Sequence, residues 1–266
     1  MIEATVNGVT FSSLGLGVKK HDIPVLPETK DYTVEIAGKD GEIDFGSVYG
    51  TRSFNVECIL MADNPTLDYQ AKAAAVAAAF NTKKDLILMF SDLQGRRYNA
   101  RYAGTMAIEK IIFDGNLTIP FKMFNPFPES EQDTAAKEYG QGLEYGQGYE
   151  YSTQAVQVTS SSQAIPITHD GTYVVAPIIR ITGAFTNLSL FDGDRTFIFT
   201  GTNGPTDVLE IDCRDTKATV KKNGLNAFAQ SNGVFFLLKP GLTTFISNST
   251  NPNFKIEFLF RHTFLY

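Results

Sequence analysis

Ile36-Ala37-Gly38-Lys39-Asp40-Gly41-Glu42-Ile43-Asp44-Phe45-Gly46-Ser47-Val48-Tyr49-Gly50-Thr51-Arg52 separates two runs that read as β-strands. Before it, Tyr32, Val34 and Ile36 alternate with Thr33, Glu35 and Ala37. After it, Phe54, Val56, Cys58 and Leu60 alternate with Ser53, Asn55, Glu57 and Ile59. A period of two puts each apolar set on one face of a sheet. The sequence thus predicts two strands joined by a long, structured, polar loop rich in glycine. Gly38, Gly41, Gly46 and Gly50 supply backbone shapes that other residues resist. Long loops inside compact domains usually carry function, so this one is the leading candidate for an interaction surface.

Outward from that stretch, the composition is that of a globular chain. It has 266 residues, 43 % hydrophobic and 20 % charged, room for two ordinary domains or one large β domain. No basic-then-apolar leader opens it, so no secretory signal is expected. Its longest apolar runs, Ala73–Phe80 and Leu86–Phe90, are too short to span a membrane, and no insertion is expected. Cys58 and Cys213 lie in strand-like runs of different halves. Parity alone allows a disulfide; two small buried thiols in a reducing compartment are the preferred reading.

The net charge of −6 is concentrated in one place. Residues 1–128 carry 13 basic against 15 acidic side chains, and residues 152–266 carry 9 against 8. Residues 129–151 carry 1 against 6. Neither half has the basic surplus of a nucleic-acid footprint. The domain boundaries are therefore read as 1–128, an acidic connection over 129–151, and 152–266. The connection holds Tyr139-Gly140-Gln141-Gly142-Leu143-Glu144 and its near copy Tyr145-Gly146-Gln147-Gly148-Tyr149-Glu150. Two copies are too few for a solenoid, so a linker or an arm that orders against a neighbour is expected.

The first half reads as strands with one helix. Asn64-Pro65 has N-cap and first-turn chemistry, and Tyr69, Ala73, Val76, Ala77 and Phe80 form a helical stripe ending near Asn81. Leu86–Phe90 and the alternating Tyr98, Ala100, Tyr102 read as a hairpin around Asp92–Gly95. A second hairpin is expected from Ile108–Phe113 and Leu117–Phe124, turning at Asp114-Gly115-Asn116, before Asn125-Pro126-Phe127-Pro128 stops the sheet. The second half offers short strands at Tyr173–Ile181, Leu188–Phe191, Thr196–Thr200, Val208–Cys213, Ala218–Lys221, Phe235–Leu238, Thr244–Ile246 and Lys255–Phe260. Turn pairs such as Asn203-Gly204 and Asn223-Gly224 separate them, the pattern of a β-sandwich or jelly roll.

Chemistry is sparse. His21, His169 and His262 lack partners at metal-ligand spacing, and His169-Asp170 reads as a solvated turn. There is no Gly-x-Ser-x-Gly elbow, and Gly140-Gln141-Gly142 lacks the flanking strand and helix of a dinucleotide loop. Asp40, Glu42 and Asp44 alternate like calcium ligands, but the full twelve-residue pattern is missing. No enzyme activity, catalytic residue, metal or cofactor is expected. The alternative reading is a glycan-binding adhesion module, with Tyr145, Tyr149 and Tyr151 as stacking platforms; a cell-wall enzyme is the third class weighed.

The opening segment resembles the signature of the siphophage distal tail proteins: Gly38-Lys39-Asp40-Gly41, then Asp44-Phe45-Gly46, then Tyr49-Gly50-Thr51-Arg52. The resemblance runs along most of the chain. Asn7-Gly8 and Leu14-Gly15-Leu16 are similar to the family's opening, and Asn125-Pro126-Phe127 to the close of its first domain. Gly171-Thr172-Tyr173, Pro177-Ile178-Ile179-Arg180-Ile181, Leu209-Glu210-Ile211-Asp212, Asn223-Gly224 and Lys239-Pro240-Gly241 follow in the family's order. The Tyr-Gly-Gln-Gly repeat departs from it.

The resemblance implies a mainly β chain: an N-terminal β-sandwich or barrel-like domain with one α-helix, then a galectin-like jelly-roll β-sandwich. It implies a structural protein of the phage tail baseplate, placed at the virion tail tip after assembly in the host cytoplasm and involved in host adsorption. Its partners would be five further copies in a homohexameric ring, the tail tube protein, the tape measure protein and a tail-associated adhesin or lysin. The subunit-interface candidates are Gly38, Asp40, Gly41, Asp44, Phe45, Gly46, Tyr49 and Arg52.

Overall fold

The computed structural model describes residues 2–62, 67–111, 114–135 and 154–266. The expected cap at Asn64-Pro65 and the repeat at 139–151 lie outside them. The chain divides into two compact units, Met1–Glu131 together with Phe264–Tyr266, and Gln132–Thr263. The second unit therefore stops short of the 266 expected for it, because the last three residues belong to the first.

The first unit contains β1 (Ala4–Val6), β2 (Val9–Thr10), β3 (Leu16–His21), β4 (Thr29–Glu35), β5 (Glu42–Tyr49) and β6 (Arg52–Leu60). Helix α1 (Leu67–Phe80) follows, then β7 (Leu86–Phe90), β8 (Arg96–Tyr102), β9 (Ile108–Ile111), β10 (Asp114–Met123) and β11 (Glu129–Ser130). Hydrogen bonding orders the main sheet β1-β7-β8-β10-β6-β3, and Ile2, just ahead of β1, bridges Val18 of β3. The sheet thus closes on itself as a barrel, which removes its open edges. Inward positions follow the period of two: Phe54, Val56, Cys58 and Leu60 on β6, Leu117, Ile119, Phe121 and Met123 on β10. Phe121 lies 5.5 Å from Phe54 and 5.9 Å from Phe80 between ring centroids. Phe80 and Val76 are the buried residues of α1, so the helix plugs the barrel with one short stripe. Ala77, expected on that stripe, is exposed. The turn expected at Asp114–Asn116 is displaced, since Asp114 already pairs with Ile111 and Asn116 with Glu109.

The second unit contains β12 (Ala155–Val158), β13 (Ser162–His169), β14 (Ile178–Phe191), β15 (Thr196–Asn203), β16 (Val208–Asp212), β17 (Thr219–Lys222), β18 (Leu225–Asn226) and β19 (Gly241–Leu259). The long strands β14 and β19 pair along most of their length and form a spine. Ile178–Thr182 of β14 also pairs with β16, while Phe185–Phe191 pairs with β15. On β19, Gly241–Asn248 pairs with β13 and Phe254–Glu257 with β12. Register shifts interrupt the spine between Ala184 and Leu188. There the inward set on β14 moves from Ile179, Ile181 and Phe185 to Leu188 and Leu190. On β19 it moves from Phe245 and Ser247 to Phe254, Ile256 and Phe258. The extra residues bend the strands while keeping apolar side chains on one shared core, which is how a sheet folds over into a β-sandwich. The strands expected at Leu188–Phe191, Thr244–Ile246 and Lys255–Phe260 are parts of β14 and β19, and Phe235–Leu238 contributes only the bridge of Leu238 to Val175.

Candidate interaction surface

β4 and β5 pair only with each other, forming a two-stranded sheet apart from the barrel. The long loop expected between the first two strands is therefore a hairpin: its turn occupies Ile36–Gly41, and most of the supposed loop returns as β5. The glycine-dense composition hid a strand whose apolar residues are Ile43, Phe45 and Val48.

Gly46 decides the shape of this arm. Thr33 lies opposite Asp44 and Asp31 opposite Ser47, so Tyr32 faces two residues, Phe45 and Gly46. This is a β-bulge, with Gly46 at φ 98° and its N–H donating to Asp44 Oδ1 at 2.7 Å. Without the extra residue, Phe45 and Val48 would point to opposite faces. With it, Tyr32, Val34, Ile43, Phe45 and Val48 share one face, and Asp31, Glu35, Glu42 and Asp44 share the other. All of these residues are exposed except Ile43, which is half-buried. Phe45 is 68 % exposed and Tyr32 56 %. The hairpin is thus amphipathic, with neither face covered by its own unit. Its base is fixed by the Gly50 N–H donating to the Glu28 carbonyl at 2.6 Å and by an edge contact of the Tyr49 ring with Phe127 at 5.7 Å.

The structure places Gly38, Asp40 and Gly41 in the hairpin turn and Asp44, Phe45, Gly46 and Tyr49 on β5. Arg52 stands apart. It opens β6 at an inward-facing position and is 1 % exposed. Its Nη2 donates to the Leu265 carbonyl at 2.5 Å, while Nε and Nη1 have no hydrogen-bond partner among the described residues. Burial lowers the guanidinium's pKa from its usual value, with weaker raising effects from Tyr98 and Tyr266. Arg52 anchors residues 264–266 within the first unit and offers nothing to an outside partner. Tyr32, Val34 and Val48 are surface residues too; Tyr32 and Val34 alternate strictly in the sequence, but alternation does not say which face a core covers.

The remaining candidates for chemistry separate. His21 Nε2 lies 2.9 Å from Asp92 Oδ2. His169 is buried, not solvated, and its ring stacks against His262. Cys58 and Cys213 are free and buried, and burial pushes both thiols up to about 12. Among the described residues, no three metal-ligating side chains gather, and no helix is long and apolar enough to cross a membrane.

Comparison with known proteins agrees with this architecture. The family described as "Phage tail protein RIFT-related domain" matches residues 10–123. The family described as "Siphovirus-type tail component, C-terminal domain" matches residues 170–262. The crystal structure of SPP1 Dit (gp 19.1), titled a paradigm of the hub adsorption apparatus in phages infecting Gram-positive hosts, superposes with a TM-score of 0.71 at 18 % identity. The match covers 98 % of this chain and 99 % of that one. A chain of the phage p2 baseplate in its activated conformation with Ca is far more distant, with a TM-score of 0.44 and 9 % identity over 97 % of this chain and 98 % of that one. Comparison with curated proteins found no match. With both tail-protein families matched in order, and the whole fold shared with a distal tail protein, the chain belongs to the distal tail protein family of siphophages.

Proposed function

We propose that this chain is a structural hub of the phage tail: six copies form a ring that joins the tail tube and tape measure protein to the adhesin or lysin at the tail tip. Residues 1–128 are the ring-forming part, and residues 152–266 the galectin-like part. The observation that carries this reading is the uncovered apolar face of the Thr29–Tyr49 hairpin. A sheet with Tyr32, Val34, Phe45 and Val48 exposed on one side marks a protein contact. Among the described residues its two strands pair with no other strand, an arrangement that suits addition to another chain. In a closed ring each subunit presents one surface and receives another, and a protruding arm suits such a heterologous contact. The role is that of a connector, with no reaction assigned to it.

Native mass spectrometry and negative-stain imaging of the purified chain test it. A six-fold ring with a central channel is expected. Val34→Asp and Phe45→Asp should each weaken assembly by ~30-fold, the loss expected for one central interface anchor. The thermal transition of the monomer should stay in place, because neither residue touches the barrel core. A wild-type chain that stays monomeric at micromolar concentration would sink the hub reading. Rings unaffected by both substitutions would move the contact away from the hairpin.

A further inference from the structure

The second unit contains a pair of imidazoles built into its fold. His169 ends β13 and is 1 % exposed; His262 lies just beyond β19, its side chain 19 % exposed. The rings are 6° from parallel, and their Nδ1 atoms are 3.2 Å apart. Their backbone partners fix the tautomers. His169 Nε2 faces the Tyr173 carbonyl at 2.5 Å and must carry a proton to donate to it. His262 Nδ1 accepts the Asp170 N–H at 3.0 Å, so its proton sits on Nε2. In the neutral pair, therefore, two unprotonated Nδ1 atoms face one another, and that of His169 also lies 3.4 Å from the Gly171 N–H. A single proton between them would make one N–H···N bond. A second would set two cations at 3.2 Å and displace the Asp170 N–H.

The couple holds two segments together. A Cβ on Gly171 would collide with the Thr263 carbonyl oxygen, so only glycine lets this stretch lie so close. The Thr263 carbonyl accepts the N–H groups of Thr172 at 2.9 Å and Tyr173 at 3.1 Å. Phe260 meets both rings edge-on, at 5.7 Å from His169 and 5.4 Å from His262. Among the described residues, two charged groups bear on the couple. Asp170 Oδ2 lies 3.7 Å from His262 Nε2, and Arg261 pairs with Asp133 at 3.4 Å one residue along. Asp170 favours a charged ring but is largely exposed, so water screens it. Burial is the stronger influence and holds both rings below the ordinary histidine range.

We propose that His169 and His262 form an acid-opened latch: two neutral rings close Asp170–Tyr173 onto His262–Thr263, and charging both rings releases the two segments. The direction follows from linkage. An unfolded chain takes up protons near 6.5, whereas the folded couple resists them. The stability the couple provides is complete above that value, declines as pH falls below it, and levels off once the folded rings are charged as well.

Imidazole NMR of the full chain between pH 8 and 4.5, with amide hydrogen exchange at Asp170, Thr172 and Tyr173, tests the latch. Both rings should remain Nε2–H neutral tautomers at pH 7. Below about pH 6.5, where opening the latch takes up protons that the closed pair resists, those three amides should lose protection by up to about tenfold per pH unit per proton taken up. His262→Asn keeps an acceptor for the Asp170 N–H but cannot titrate, so its protection should change far less over the same range. Rings that charge without loss of amide protection would overturn the latch. So would rings that stay neutral down to pH 4.5, or equal losses in the Asn variant. The wild-type titration decides the matter even if that variant fails to fold.

Discussion

Arg52 shows how parity along a strand overrules residue type. It stands two positions before Phe54, so the period that buries Phe54, Val56, Cys58 and Leu60 buries it too. A charged residue beside a polar segment invites a surface assignment, because arginine is seldom fully buried. The inward register was legible in the sequence; the partner that tolerates it was not, since Leu265 lies more than two hundred residues away. A buried charge with one hydrogen bond contributes little net stability. Arg52→Met should therefore unfold in urea within about 1 kcal/mol of the wild type. Arg52→Ala, which leaves the same volume empty, should lose about 3 kcal/mol. Equal losses in the two variants would mean that the hydrogen bond, and not the filled space, holds the position.

At the level of elements, bulges explain both what the sequence reveals and what it conceals. β6 and β8 alternate without a break and β7 is a short, wholly apolar run, so all three are legible in the sequence. β14 and β19 show in the sequence only as separate fragments, and Gly183, Asn187 and Asn251 lie in or between those fragments. Each does take a positive φ, at 125°, 48° and 50°. A bulge and a turn ask the same thing of the backbone, and only long-range pairing decides whether the strand bends or ends. Gly46 poses the same ambiguity in the hairpin. A Cβ there would meet nothing within 4 Å, so Gly46→Val is penalised through φ alone, by about 1–2 kcal/mol. The expected result is an unchanged barrel transition with weakened assembly, because Phe45 and Val48 lose their common face. Native mass spectra beside a thermal scan would check this. A lowered barrel transition would show that the hairpin is coupled to the core.

For the whole molecule, the sequence carried the family through the order of its motifs, and the mainly β class through its turns. It could not carry the contribution of residues 264–266 to the first unit, because no local pattern marks a segment whose partners are Arg52, Arg96 and Pro128. Phe264 donates its N–H to the Pro128 carbonyl at 2.9 Å, and its ring lies under the Arg96 guanidinium at 4.5 Å. Tyr266 packs against the barrel core. Removing 264–266 should destabilise the first unit by about 2–4 kcal/mol, on the burial of two aromatic side chains. The second unit, which does not include them, should keep its own stability; calorimetry or unit-resolved hydrogen exchange would tell the two apart. An unchanged first unit would mean that these contacts are ornamental.

That arrangement has a consequence for the chain as it is made. Residues 1–131 leave the ribosome long before residue 264 is added, so the barrel must wait for the whole second unit before the Arg52 side chain finds its acceptor. A transcript cut short within the second unit yields a barrel with a buried guanidinium lacking its one hydrogen bond. Such a chain is loosened at the junction of the hairpin and β6, the region a ring would draw upon. The last hydrogen bond of the first unit is thereby set by residues that follow the second unit in the chain.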